Sequence, residues 1–282
     1  VSTFTHWNSL MGDPSLQIWT DYPEMLNVVH PYSIAKGTNF IDFTLTNSSG
    51  MPISDAWVTI YKEDAIIESG YSNSNGSIRL ILSSIEEGEV LVTVTKKNHY
   101  PYQSSFQIYN PGASVNVVPE NISIFENGSG SSSGNGDGKI NSGEIVDVII
   151  PVLNYGNADA VQINGTLSSE NENVSIINDT HYYGDLSIGG IASNDSSPFT
   201  LSVSNTVTDK SSIKLILSLV NDSGYSSKGY IELQIDGKNL YAHSINVIGN
   251  NQNVLLSGQT SNVNVELHNI GSTIAQNITG II

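Results

Sequence analysis

Apolar residues recurring at every second position constrain this chain more than any other feature of it. Ile41, Phe43 and Leu45 alternate with polar residues, and so do Ile78, Leu80 and Leu82, then Val90, Val92 and Val94. Later runs are Val146, Val148, Ile150 and Val152, then Ile213, Leu215, Leu217 and Leu219, then Ile231, Leu233 and Ile235. Successive side chains of a strand point to opposite faces, so this period predicts strands with one face on a core and the other in water. Turn-forming residues fall between the runs, at Asn47–Gly50, Asn75-Gly76, Asn164-Gly165 and Asp236-Gly237, where tight hairpins need positive φ. No dozen-residue stretch carries a helical stripe, although residues 1–12 could close a preceding helix or loop.

Short strands separated by such turns predict an all-β chain of tandem, immunoglobulin-like antiparallel β-sandwiches. Its 282 residues leave room for two or three domains, each able to bury a core. Boundaries are expected where Pro, Gly and Ser concentrate. Residues 1–22 form the tail of, or linker from, a preceding domain; 23–110 a first sandwich; 111–242 a second carrying an inserted loop; and 243–282 the start of a third. An internal repeat supports the last boundary. Ser142, Gly143, Val148, Asn154, Gly156, Ala160, Ile163 and Gly165 recur as Ser257, Gly258, Val263, Asn269, Gly271, Ala275, Ile278 and Gly280. A repeat of domain length means copies of one fold. The third copy reaches only about three strands before Ile282, too few to bury a core alone. Its remaining strands are expected beyond the end of this sequence or from another chain. The start at Val1, without a leader, likewise reads as a piece of something longer.

Charge and cysteine content exclude several classes of function. With 10 Lys+Arg against 27 Asp+Glu and a pI near 4.4, the summed field repels phosphate and anionic lipid, so nucleic-acid binding is not expected. Membrane insertion is not expected either, since no apolar run approaches the ~20 residues of a span. Cysteine is absent, which removes disulfides, thiolate zinc sites and a cysteine nucleophile together. Ten Asn-x-Ser/Thr sequons, among them Asn47, Asn121, Asn164 and Asn277, only slightly exceed the roughly six that this composition yields by chance.

The segment Met11-Gly12-Asp13-Pro14-Ser15-Leu16-Gln17-Ile18-Trp19-Thr20, followed by Pro23, resembles the junction at the end of gingipain-like, clan CD cysteine peptidase domains. In that family a Gly-Asp-Pro-Ser segment closes the caspase-like domain and leads into an immunoglobulin-like domain. The resemblance implies a secreted bacterial peptidase whose catalytic His and Cys lie upstream of Val1 and map onto no residue here. It makes this chain a non-catalytic accessory region serving as spacer, stabiliser and attachment module. The repeated segments also resemble adhesion-type sandwich modules of bacterial and archaeal surfaces. The alternative is a structural subunit of an extracellular filament, stalk or adhesin. Both place the chain in the secreted or cell-surface compartment. Expected partners are an upstream peptidase domain or neighbouring copies of the chain, with a cell-surface polymer or glycan as a further candidate.

The sharpest chemical motif is Ser133-Gly134-Asn135-Gly136-Asp137-Gly138-Lys139-Ile140-Asn141-Ser142-Gly143-Glu144. It matches a calcium loop of EF-hand or dockerin type at positions three, five, six, eight and twelve. Calcium is therefore the expected cofactor, held by Asn135, Asp137, the Lys139 carbonyl, Asn141 and Glu144. Ser133 replaces the usual Asp at position one, and no helices flank the loop; Glu126 is a candidate substitute acid. The competing reading is a polar hairpin whose residues merely favour turns. In the third copy Gln259 replaces Glu144, so no ion is expected there.

Other candidates are weaker. His6, His30, His99, His181, His243 and His268 show no metal-ligand spacing and read as ordinary strand or surface residues. Trp19, Trp57, Tyr71, Tyr182 and Tyr183 could form a sugar-stacking face, but the tryptophans read first as core. Glu86-Glu87 and Asp179-Asp185 are expected on turns, without the fixed separation that paired acid and base chemistry requires.

Overall fold

The alternating runs fall on strands. The computed structural model describes residues 19–63, 65–83, 86–207, 209–248, 254, 257–258, 260–275 and 278–280. The opening segment 1–12, the motif residues 11–18, His6, Gln259 and Asn277 lie outside these. The chain divides into two compact units, Val1–Pro111 and Gly112–Ile282.

The first unit comprises β1 (Asn27–Val29), β2 (Ser33–Ala35), β3 (Phe40–Thr46), β4 (Trp57–Lys62), β5 (Ala65–Tyr71), β6 (Ser77–Ile81), β7 (Gly88–Thr95) and β8 (Tyr102–Tyr109). A three-stranded sheet in the order β1-β3-β6 faces a five-stranded sheet in the order β2-β8-β7-β4-β5. The core is the alternating set itself: Ile41, Phe43, Leu45 and Leu80 from one sheet meet Val58, Ile60, Val90, Val92, Val94 and Phe106 from the other. Among the strands of this unit pairing is antiparallel except between β2 and β8, and a single parallel bridge joins Glu24 to His99. The Asn47 and Asn73 side chains shape the turns, each accepting two backbone N–H bonds from residues two and four further on.

In the second unit the strands are β9 (Val115–Val117), β10 (Ser123–Phe125), β11 (Ile140–Asn141), β12 (Ile145–Ile149), β13 (Val152–Asn154), β14 (Ala160–Ser169), β15 (Val174–Asn178), β16 (Thr180–Leu186), β17 (Ile191–Ala192), β18 (Phe199–Val203), β19 (Ser212–Val220), β20 (Ser226–Asp236), β21 (Leu240–Val247) and β22 (Val263–Asn269). Sheets β10-β12-β18-β15, β11-β20-β19-β14-β16 and β17-β13-β9 enclose one core that includes Val146, Val148, Phe199, Leu201, Leu215 and Leu217.

Two sequence expectations fail here for identifiable reasons. The run Val146–Val152 is not one strand. Pro151 has no N–H to give to a ladder, and the interruption is repaired by the fully buried Asn194, which accepts from Ile150 N at 2.6 Å and donates to Val148 O at 3.0 Å. Nor is Asn164-Gly165 a turn; it lies inside β14, paired with both β16 and β19. Gly165 is needed there because a Cβ would stand 2.6 Å from the ring of Tyr183, which is buried and donates its hydroxyl to Ile150 O.

The internal repeat is visible as one hydrogen-bond signature made twice. Asn154 Oδ1 accepts from Gly156 N at 3.1 Å, and its Nδ2 donates to Ala158 O at 2.8 Å. Asn269 Oδ1 accepts from Gly271 N at 3.1 Å, and its Nδ2 donates to Thr273 O at 2.7 Å. The surroundings differ, since Asn154 is 1% exposed whereas Asn269 is exposed. Among the described residues, the segment expected to begin a third sandwich carries the β21–β22 hairpin, whose register places Leu240, Ala242, Ile245, Val247, Val263, Val265 and Leu267 on one face. Ile245 on that face is 56% exposed and Leu267 44%. Two strands with an uncovered apolar face are marginal by themselves. Amide protons of β21 and β22 are therefore expected to exchange orders of magnitude faster than those of β19, measured by mass spectrometry on a verified monomer. Equal protection in the two regions would refute the half-core.

Candidate metal centre

The loop at 133–144 is closed at its base by Ser133 and Ile145, which exchange both backbone hydrogen bonds at 2.7 and 3.0 Å. Ile140 anchors it in the core at 1% exposure, on the short strand β11 that runs parallel to β20. The glycines leave backbone N–H groups pointing into the loop, and carboxylates take them. Glu144 Oε1 accepts from Asn135 N at 3.1 Å and Oε2 from Asn141 N at 2.9 Å. Glu126, reaching in from β10, accepts from Gly136 N at 2.5 Å and Gly138 N at 2.7 Å.

Each predicted ligand has a definite place. Asn135 Oδ1 accepts from Asp137 N at 2.8 Å and Asp137 Oδ1 from Lys139 N at 2.9 Å, successive side-chain turns that curl the loop. The Asn141 amide nitrogen faces the Asp137 carboxylate at 3.3 Å. Asn141 is 4% exposed, and its Oδ1 is buried with no hydrogen-bond partner. The Lys139 ammonium turns outward to Asp236 at 2.9 Å. Hydrogen bonds from the Lys210 ammonium at 2.8 Å and then from Lys139 lower the Asp236 carboxyl to about 2, and the Lys139 contact ties the loop to the end of β20.

Glu126 and Glu144 are both buried. They are 2% and 8% exposed, and among the described residues neither forms an ion pair with Lys, Arg or His. A Cβ on Gly134 would meet Glu126 Oε2 at 2.5 Å and Glu144 Oε1 at 2.8 Å, so the two carboxylates converge on one point and only glycine fits between them. Two buried carboxylates converging on one point make a place that a cation would fit. Each carboxylate oxygen has a second lone-pair direction beyond the N–H it accepts, and the orphaned Asn141 Oδ1 adds a neutral donor. This all-oxygen set suits a hard cation such as Ca²⁺. In one respect the arrangement departs from an EF-hand: the closing Glu144 spends one lone pair of each oxygen on the loop's own amides. Three carboxylates of the loop do not approach within 4.8 Å of one another among the described residues.

The remaining sequence candidates sort differently from expectation. Trp19 and Trp57 are not core residues, being 47% and 37% exposed. With Tyr71, Lys96 and His99 they line an open groove of the first unit, in which Trp57 and Tyr71 meet edge-on at 4.4 Å and His99 Nε2 is buried without a partner. Asp185 lies on β16, where it accepts from Gln162 N at 2.8 Å, not on a turn. The histidines are not all isolated. His243 and His268 stack at 4.0 Å across the β21–β22 pair, a meeting that no spacing along the chain could show because it depends on register.

No family model matches the sequence, and no curated protein matches it either. Among solved structures, gingipain R, an Arg-specific cysteine proteinase, aligns with 18% identity and a TM-score of 0.29, over 35% of this chain and 22% of that one. The BSP domain of a biofilm-associated protein aligns with 10% identity and a TM-score of 0.28, over 74% of this chain and 30% of that one. A Ca²⁺-stabilised, ice-binding adhesin of an Antarctic bacterium aligns with 12% identity and a TM-score of 0.23, over 78% and 51%. The chain thus spans less than two thirds of the length of each of these proteins.

Proposed function

We propose that this chain is a non-catalytic, extracellular β-sandwich region, built of modules in series and acting as spacer, stabiliser and attachment element. The observation that carries this reading is the repeat. Asn269 repeats the asparagine signature of Asn154, so one local design is used twice along the chain, and Ile245 and Leu267 beside the second use are exposed. A chain without cysteine, whose buried carboxylates serve turns and loops, offers structure and not a reaction.

In the finer reading the region belongs to a gingipain-like peptidase on the cell surface or in the medium, and calcium held between Glu126 and Glu144, with Asn141 beside them, rigidifies the second sandwich. Its partners are then the peptidase domain or neighbouring copies of the chain. The aromatic groove at Trp19, Trp57 and Tyr71 supplies a surface for a cell-surface glycan, since sugar rings stack on exposed aromatic faces. The same uncovered hairpin favours a second reading, a filament in which each copy completes the next.

Antibody raised against the chain should label intact cells of the source organism, and the purified chain should leave a broad panel of peptide substrates uncut. Labelling only after lysis would overturn the surface assignment. Cleavage blocked by a class-specific inhibitor would overturn the non-catalytic one. Concentration-dependent polymers in analytical ultracentrifugation would select the filament.

A further inference from the structure

The polar face of the β21–β22 hairpin carries chemistry that the loop at 133–144 does not. We infer that His243, Glu266 and His268 form a binding site for a borderline transition-metal ion of the Zn²⁺ class. One nitrogen from each imidazole and one carboxylate oxygen lie within 4.8 Å of one another. The ligand set His₂Glu, with a fourth position open, is one that zinc accepts.

The geometry is set by an irregularity in the pairing. Ala242 pairs with Leu267 and Ser244 with Glu266, leaving His243 as the extra residue of a bulge. A bulge re-aims a side chain, and here it brings the His243 ring over that of His268, with centroids 4.0 Å apart and planes 7° from parallel. His268 Nε2 stands 3.3 Å from Glu266 Oε1. That is roughly the edge of a tetrahedron with metal–ligand bonds of about 2.0–2.1 Å, so a metal can bridge these two atoms, and the stacked His243 ring must turn out of its parallel plane to point a nitrogen at the same ion.

Neighbouring side chains orient the ligands, as partners behind metal ligands commonly do. The Tyr241 hydroxyl lies 3.3 Å from His243 Nδ1, which occupies that nitrogen and leaves Nε2 for the metal. The Ser244 hydroxyl donates to Glu266 Oε2 at 3.0 Å, leaving Oε1 toward His268. All three ligands are exposed or half-buried, which gives the ion an entry path. Its effect would be to clip β21 to β22 on the polar side of a hairpin whose apolar side is uncovered. Nitrogen donors distinguish this site from the all-oxygen loop, so the two should not compete for one ion.

The test uses the whole chain with Zn²⁺ in titration calorimetry and Co²⁺ as a spectroscopic probe. One equivalent is expected to bind with a tetrahedral Co²⁺ spectrum, unaffected by millimolar Ca²⁺. His268→Ala and His243→Ala should each weaken binding by tenfold or more, and Glu266→Gln should weaken it while leaving both imidazoles in place. Circular dichroism would show that the exposed substitutions leave the fold intact. Absence of binding at 100 micromolar Zn²⁺, or binding that survives both histidine substitutions, or displacement by Ca²⁺, would overturn the assignment.

Discussion

Replacing Asn154 by alanine should cost roughly 3–5 kcal/mol, whereas the same change at Asn269 should cost about 1 kcal/mol or less. The buried Asn154 side chain accepts from Ser114 N and Gly156 N and donates to Ala158 O and Leu186 O. Alanine would strand those backbone groups away from water, and each stranded buried group costs about 1–3 kcal/mol. At Asn269 the local bonds to Gly271 and Thr273 are the same, but solvent reaches them and can replace the amide. Urea unfolding of the two variants checks this. Effects of equal size would mean that burial does not distinguish the copies.

Calcium should raise the melting temperature of the second unit. At a hundred times its dissociation constant, an ion bound only to the folded state stabilises it by about 2.7 kcal/mol. Glu126→Gln and Glu144→Gln should each remove most of that gain, because each takes away one charge of the buried pair that converges on Gly134. The calcium-free melting point should move little, since relief of the repulsion between two shielded carboxylates offsets the loss of one N–H acceptor. Scanning calorimetry with and without calcium, paired with titration, provides the measurement. No binding at millimolar calcium, or an intact calcium response in both variants, would leave the loop as a hairpin stapled by carboxylates. Gly134→Ala should abolish the response as well, because its Cβ would occupy the point on which the carboxylates converge.

Much of the fold was legible in the chain because its information is local. Alternation at Ile41–Leu45 or Ile213–Leu219 says which face is buried whatever the neighbouring strand is. Asn47 and Asn73 shape turns through bonds to their own backbone. The misreadings came where a residue's neighbours are distant. Asn164-Gly165 has the composition of a turn, but Gly165 answers to the ring of Tyr183 on another strand. The tryptophans read first as core, yet Trp19 and Trp57 face an open groove.

For the candidate sites, order along the chain suffices to show the oxygen-rich loop, its glycine spacing, Glu126 as a nearby acid and the repeat that includes Asn269. Order along the chain does not show that Glu126 and Glu144 are buried together with no Lys, Arg or His paired to them among the described residues, that Asn141 Oδ1 is left unpartnered, or that a bulge stacks His243 on His268. Those facts depend on strand register and on exclusion of water. Both arise from pairing between segments far apart in the chain, which no local pattern encodes.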